Sequence, residues 1–152
     1  MSIRTLIDAR RLGQDAGPIA LHGRQDNLLV CVHMLSQVRR ELCLLTRVLD
    51  KPIYDQAPFR AGLKAFALRS RFSRARILLQ DHEPVVKHSH RIVELVRRLS
   101  SSAAIRIPPE DWPDNPVNFL LADQDGYVKR ELSSDYEATA DYFAPLSVRK
   151  MR

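Results

Sequence analysis

Six positively charged side chains lie in one stretch of the chain that contains no acidic residue. The stretch runs from Ala57 to Gln80, and we call it the basic segment. Its cations are Arg60, Lys64, Arg69, Arg71, Arg74 and Arg76. Their six positive charges equal the net charge of the whole chain, +6. Guanidinium groups form paired hydrogen bonds with phosphate oxygens. The basic segment therefore predicts binding of nucleic acid or another phosphate-bearing ligand, with a solvated basic surface as the alternative.

Two aromatic side chains accompany these cations. Phe66 shares helical spacing with Phe59 and Leu63 and fits a core-facing position, whereas Phe72 lies among the arginines. We expect no insertion into membranes, because the basic segment is predicted to expose no Trp or Leu side chain and no apolar run of the chain is long enough to span a bilayer. The N-terminal sequence lacks the sustained apolar core of a signal peptide, which predicts a cytoplasmic protein.

The histidines and cysteines form no recognisable metal or redox motif. His88 and His90 are the only close pair of histidines, and their i, i+2 spacing directs them to different sides of a helix. Cys31 and Cys43 lie in apolar segments, where a thiol behaves as a small hydrophobic group. We therefore predict no metal, no cofactor and two cysteines with a structural role.

The serines and glycines give no catalytic motif either. Ser100 to Ser102 follow Arg97 and Arg98 at a predicted helix C-terminus, where the helix dipole disfavours an anion. The chain has five glycines and contains no G-x-S-x-G, P-loop or dinucleotide-binding pattern. Nucleotide-dependent enzymes are therefore not supported.

The apolar pattern alternates between helical spacing and short continuous runs. Helices are predicted after an N-cap at Asp26, around Phe59 to Phe66, over residues 85–99 and after Pro145. Strands are predicted over residues 41–49, 75–80, 103–107, 117–122 and 127–131, of which the last two form a hairpin. This order predicts an α/β fold with a mixed, largely parallel sheet and helices on its faces. Residues 1–24 are expected to form an arm or edge strand, and residues 25–152 a single domain.

The residues around the hairpin turn carry a further pattern. The sequence from Asn118 to Gly126 is Asn-Phe-Leu-Leu-Ala-Asp-Gln-Asp-Gly. It resembles the H-x-K-x-x-x-x-D signature of the phospholipase D superfamily, with Asn118 at the histidine place, Leu120 at the lysine place and Asp125 at the aspartate place. The order of predicted elements over residues 25–132 is similar to one half of that fold. The alternative is a chance match, because many unrelated hairpins contain a D-x-D-G turn.

The resemblance implies a scaffold without the chemistry of its family. In active members the histidine attacks phosphorus and the lysine holds the phosphate oxygens. The amide of Asn118 is not nucleophilic, and Leu120 brings no positive charge to the transferring phosphate. Asp125 is then expected to serve only as a turn residue. We therefore predict a non-catalytic phospholipase D-like binding module.

Similarity to larger assemblies implies two kinds of partner. Active half-sized relatives dimerise and so bring two motifs together, which implies a homodimer. The chain also resembles an uncharacterised bacterial domain attached to some acetyltransferases, which implies a structural or regulatory domain that docks onto such an enzyme. This docking role is the alternative to recognition of nucleic acid. An open basic pocket at Asn118 would favour a phosphate ligand there, whereas a filled pocket would move the function to the surface.

Overall fold

The computed structural model describes residues 2–81, 91–113, 115–132 and 134–151, which form six helices and a seven-stranded sheet. The strands are β1 (Ile19–Leu21), β2 (Glu41–Thr46), β3 (Arg74–Leu79), β4 (Ala103–Arg106), β5 (Asn118–Ala122), β6 (Gly126–Arg130) and β7 (Ala138–Asp141). The helices are α1 (Ile3–Asp8), α2 (Gly23–Leu35), α3 (Lys51–Tyr54), α4 (Ala57–Arg69), α5 (Arg91–Arg98) and α6 (Pro145–Met151). None of these helices is long and apolar enough to cross a membrane.

The sheet is mixed, with the strand order β1-β7-β6-β5-β2-β3-β4. β2 pairs with β3, and β3 with β4, in parallel, whereas the other pairings are antiparallel. The predicted α/β class and mixed sheet are confirmed. The parallel part is smaller than expected, because β5, β6 and β7 follow one another through connections too short for a parallel crossover. Residues 1–24 contribute α1 and β1, and β1 is the strand at the edge beside β7.

The two faces of the sheet differ in character. In β3 the side chains of Ala75, Ile77 and Leu79 are buried, whereas Arg74 and Arg76 are exposed. The buried set joins side chains from α1, α2, α3, α4 and α5 in one hydrophobic core. Successive side chains of a strand point to opposite faces, so these helices cover one face of the sheet and β3 presents its arginines on the other.

The helices follow the predicted spacing more closely than the predicted ends. Phe59, Leu63 and Phe66 of α4 are all buried, as their spacing predicts. The prediction of Asp26 as an N-cap is wrong, because α2 begins at Gly23. The Asp26 carboxylate instead reaches back from the first turn and accepts a hydrogen bond from the backbone N–H of His22 at 3.0 Å.

The third predicted helix corresponds to α5, which spans Arg91–Arg98. Its predicted first part, residues 85–90, lies outside the residues that the structure describes, and so do His88 and His90. Ile92 and Val96 of α5 are buried, in agreement with the apolar side predicted for this helix. α6 begins at Pro145, where a final helix was expected.

Candidate functional site

The three positions of the degenerate motif do not form an open site. Asn118 and Leu120 are each 1% exposed. Leu120 pairs across the sheet with Leu44 and Val128, and all three belong to the hydrophobic core. The Oδ1 atom of Asn118 accepts a hydrogen bond from the backbone N–H of Arg47 at 3.0 Å, while its Nδ2 has no hydrogen-bond partner among the described residues. Asn118 and Leu120 therefore lie inside the fold, enclosed by core and backbone contacts.

Asp125 lies at the other end of β5 from Asn118. The strand between them has five residues, and a strand rises about 3.3 Å per residue, so the Asp125 carboxylate does not reach the Asn118 side chain. Burial raises the pKa of Asp125, and the neighbouring carboxylate of Asp123 adds to the rise. The two ends of the motif thus belong to different regions of the molecule.

Asp123 supports the D-x-D-G turn. Its backbone has a positive φ of 53°, and its carboxylate accepts hydrogen bonds from three successive backbone N–H groups at the start of β2. The donors are Arg39 at 3.0 Å, Arg40 at 2.8 Å and Glu41 at 3.0 Å. Glycine fits at position 126 because a Cβ atom there would lie 3.0 Å from the backbone oxygen of Asp141. Both residues therefore have structural reasons to be present that involve no phosphate chemistry.

A buried ion pair lies beside Asn118 on the helix-covered face. Arg130 is the cross-strand partner of Asn118 and is only 2% exposed. Its guanidinium donates to the Asp50 carboxylate at 3.1 Å and 3.3 Å, and the Tyr136 hydroxyl donates to the same carboxylate at 3.2 Å. Burial works to lower the pKa of Arg130, but the facing Tyr54 and Asp50 outweigh it, so that the pKa is raised. Asp50 therefore holds a permanently charged arginine inside the fold.

No group of three or more His, Cys, Asp or Glu side chains in the described ranges is placed to hold a metal ion. Cys31 and Cys43 are not joined to each other or to another cysteine there. Burial raises the pKa of the Cys31 thiol to about 12, although the charge of Arg130 opposes the rise. The thiol of Cys31 is therefore neutral at physiological pH and packs in the core.

The cations of the basic segment lie in several separate places. Arg60 is bound to Asp55, since its Nη1 donates to the Asp55 carboxylate at 3.1 Å and to the backbone carbonyl at 2.7 Å. Arg69 donates a hydrogen bond to the carbonyl of Val38 and so joins the end of α4 to the loop before β2. Lys64 lines a groove of about 400 Å³ between α4 and α5 together with Arg60, Arg91, Arg98 and Glu94. These cations do not form one continuous predicted site.

Arg74 and Arg76 line a second groove, which we call the β3–β4 groove. It has a volume of about 240 Å³ and is lined by the first residues of β3 and by residues along β4. Its charged and hydroxylated lining consists of Arg74, Arg76, Arg106, Ser100, Ser101 and Ser102. The register places Arg106 opposite Leu78 and Ala104 opposite Arg76, so the three arginines share the face of the sheet that the core does not occupy.

The arginine side chains of this groove differ in the hydrogen bonds that they form. Arg74 donates through Nη1 to the backbone carbonyls of Arg71 at 2.9 Å and Ser73 at 2.8 Å. The side chains of Arg76 and Arg106 are exposed and form no ion pair or hydrogen bond within the described part of the chain. Glu41, the neighbour of Arg74 across the β2–β3 register, is the acidic residue on this part of the face. The groove thus keeps a positive surplus.

Ser100 to Ser102 lie with the arginines of β3 and β4. They follow α5 in the chain, but the groove that they line is formed mainly by the strands. The positive charges of Arg74, Arg76 and Arg106 therefore outweigh the negative end of the α5 dipole at these serines. Hydroxyl groups next to guanidinium groups give a set of donors that suits phosphate oxygens.

Two apolar side chains at the end of α4 are exposed, contrary to the expectation that the basic segment shows no Leu to solvent. Leu68 is 66% exposed and Phe72 is 59% exposed. Leu68 falls on the outer side of α4, because α4 buries Phe59, Leu63, Phe66 and Ala67. Phe72 follows in the turn before β3, two residues from Arg74. The basic segment therefore carries an apolar surface beside its arginines.

The fold and the site together define an α/β domain with a seven-stranded mixed sheet and an arginine-lined surface groove. The chain belongs to the family described as a domain of unknown function, DUF7931, which matches residues 23–152. The function of that family is not established. No curated protein matches the chain.

Solved structures share the fold, and 40 chains match. One of them is TrmBL2, an archaeal chromatin protein whose structure shows a novel mode of DNA binding. The TM-score is 0.60 at 15% sequence identity, and the match covers 98% of this chain. It covers 53% of the TrmBL2 chain, so this chain spans about half the length of that protein. At this identity the likeness concerns the fold.

Proposed function

We propose that this chain is a non-catalytic, phospholipase D-like module that binds nucleic acid through the β3–β4 groove. The observation that carries the proposal is the position of Arg74, Arg76 and Arg106, which are exposed on one face of two adjacent strands. The DNA-binding mode of TrmBL2 supports the same class of ligand. The buried state of Asn118 and Leu120 supports a surface site instead of the pocket of the family.

The spacing of the groove suits a chain of phosphates better than one small anion. Arg74 and Arg76 are two residues apart on a strand, which corresponds to about 7 Å. Arg106 adds a third cation from the neighbouring strand. Because the three side chains lie along an open surface, they meet different phosphates of a polymer instead of converging on one. Such contacts fix the position of the backbone and carry no base preference.

The proposal that the module is non-catalytic predicts no turnover of phosphodiesters. Incubation of the purified protein with bis(p-nitrophenyl) phosphate is expected to release p-nitrophenol at the rate of the buffer alone. The reason is that Asn118 supplies no nucleophile and Leu120 no cation at its buried place. Asn118→Ala is the matched variant. Turnover above the buffer rate that this variant abolishes would contradict the absence of catalysis.

If the β3–β4 groove binds nucleic acid, its arginines determine how steeply the affinity falls with salt concentration. Each phosphate contact contributes roughly 0.7 to 0.9 to the slope of log affinity against log salt concentration. The triple variant Arg74→Gln, Arg76→Gln, Arg106→Gln is expected to reduce that slope by about 2. It should also weaken binding of a fluorescein-labelled 20-nucleotide DNA by at least ~10-fold near 0.1 M salt, measured by fluorescence anisotropy.

A control variant that loses the same number of positive charges distinguishes binding at the groove from binding through net charge. The variant Arg4→Gln, Arg11→Gln, Lys150→Gln also removes three exposed cations, and these lie outside the basic segment. It is expected to keep affinity within about twofold of the parent protein, since a screened charge beyond a Debye length contributes little. An equal loss of affinity in both triple variants would show that binding follows total charge, and the groove would not be the site.

A further inference from the structure

Phe72 is a large aromatic side chain placed on the surface among cations. It is 59% exposed, whereas Phe59 and Phe66 of the preceding helix are buried. An exposed apolar side chain next to a charged ligand site is informative, since it gains nothing from the core of its own domain. Leu68, one turn earlier in α4, adds a second exposed apolar side chain nearby in sequence.

The turn that carries Phe72 is held in one conformation by hydrogen bonds. The backbone N–H of Phe72 donates to Oγ of Ser70 at 3.1 Å, and the N–H of Ser73 donates to the carbonyl of Ser70 at 3.2 Å. Nη1 of Arg74 then ties the carbonyls of Arg71 and Ser73 to the start of β3. Phe72 is therefore presented in a fixed position by the same arginine that lines the β3–β4 groove.

The ring of Phe72 is already in contact with one flat cation. The guanidinium carbon of Arg71 lies 4.8 Å from the ring centroid, which is within the range of a cation–π contact. Guanidinium and nucleobase are both planar groups that stack on aromatic rings. The ring of Phe72 thus contacts Arg71 in the turn that leads into β3, and its exposed surface is suited to stacking.

We propose that the β3–β4 groove takes single-stranded nucleic acid, with an unpaired base stacked on Phe72. This inference rests on the proposed function and names the form of the ligand. In a duplex the flat faces of the bases are hidden in the helical stack, and a ring on a surface turn has no access to them without unstacking. In a single strand the faces are free, and a strand that lays its phosphates along the arginines brings bases to Phe72. Phenylalanine offers no hydrogen bond, so this stacking tolerates every base.

The test compares one 20-nucleotide DNA as a single strand and as a duplex, using fluorescence anisotropy at one salt concentration near 0.1 M. The parent protein is expected to bind the single strand more tightly than the duplex. Phe72→Leu retains an apolar side chain and removes the ring, and it should weaken single-strand binding by roughly 5- to 150-fold. Phe72→Tyr retains the ring and should bind like the parent. Leu68→Ala removes a neighbouring apolar group and is the matched control, for which no change is expected.

The outcomes distinguish a failure of the stacking inference from a failure of the proposed nucleic-acid binding. Equal affinity of Phe72→Leu and the parent for the single strand would overturn the stacking inference. Equal affinity of the parent for the two DNA forms would overturn it as well. If the groove triple variant binds the single strand as well as the parent does, the proposed function itself fails. Circular dichroism of each variant establishes that the fold is retained.

Discussion

Arg130→Met is expected to lower the free energy of unfolding by about 3–5 kcal/mol. The substitution leaves the Asp50 carboxylate buried without its cation, and the hydrogen bond from Tyr136 does not neutralise it. An uncompensated buried charge costs much more than the pair contributes, because desolvation is no longer offset by attraction. Urea unfolding followed by circular dichroism measures the change. This loss approaches the whole stability of a small domain, so partial unfolding at 37 °C is expected.

Two further variants give this prediction its controls. Lys129→Met changes the adjacent residue, whose ion pair with Glu131 is exposed to solvent, and it should shift stability by less than about 1 kcal/mol. The double variant Asp50→Leu, Arg130→Met removes both charges and should lose clearly less than the sum of the two single variants. A double variant that loses the full sum would contradict the view that the two charges depend on each other.

Leu120→Lys places a lysine where the phospholipase D signature has one and is expected to destabilise the fold by about 4–5 kcal/mol at neutral pH. The side chain is 1% exposed and packs in the core, so the ammonium would be desolvated there. A buried lysine has a lowered pKa, and its penalty is therefore present below the pKa of the unfolded chain and declines as the pH rises towards that value. Thermal unfolding at pH 7 and pH 10 should show a partial recovery at the higher pH.

Ala20→Lys is the matched control for Leu120→Lys. Ala20 is exposed in the edge strand β1, so its replacement introduces the same side chain into a strand without burying it. A change of less than about 0.5 kcal/mol is expected. Should Leu120→Lys instead prove as stable as this control, the site at Leu120 would be open to solvent, and the argument for a filled pocket would be wrong.

The sequence predicted the layers of the fold better than their connections. Phe59, Leu63 and Phe66 recur at helical spacing and are buried as that spacing requires, since a helix with one apolar side has one way to face a sheet. β7 was not predicted, because Ala138–Asp141 is short and carries no apolar run to mark it as a strand. Its pairing with β1 joins the two ends of the chain, and no local pattern contains that information.

The residues of the candidate site were likewise predictable only where their pattern lies within one element. Arg74 and Arg76 were identified from their charge, and their common face follows from the two-residue repeat of a strand. Arg106 was missed, since its approach to them depends on the register between β3 and β4. Asp50, Arg130 and Tyr136 were also missed, because 80 or more positions separate Asp50 from its partners and each residue is unremarkable in its own segment. Sequence patterns report periodicity within an element, whereas these contacts arise between elements.

β4 is the last strand of the sheet in the described part of the chain, and this position bears on how the molecule behaves at high concentration. An edge strand offers unpaired backbone groups to which a strand of another molecule can add, and such addition leads to aggregation. The exposed charge of Arg106 and the two prolines that follow at Pro108 and Pro109 work against it, because proline has no N–H to extend a ladder. Arg106, one of the arginines that line the β3–β4 groove, therefore also protects this edge of the sheet from intermolecular β-pairing.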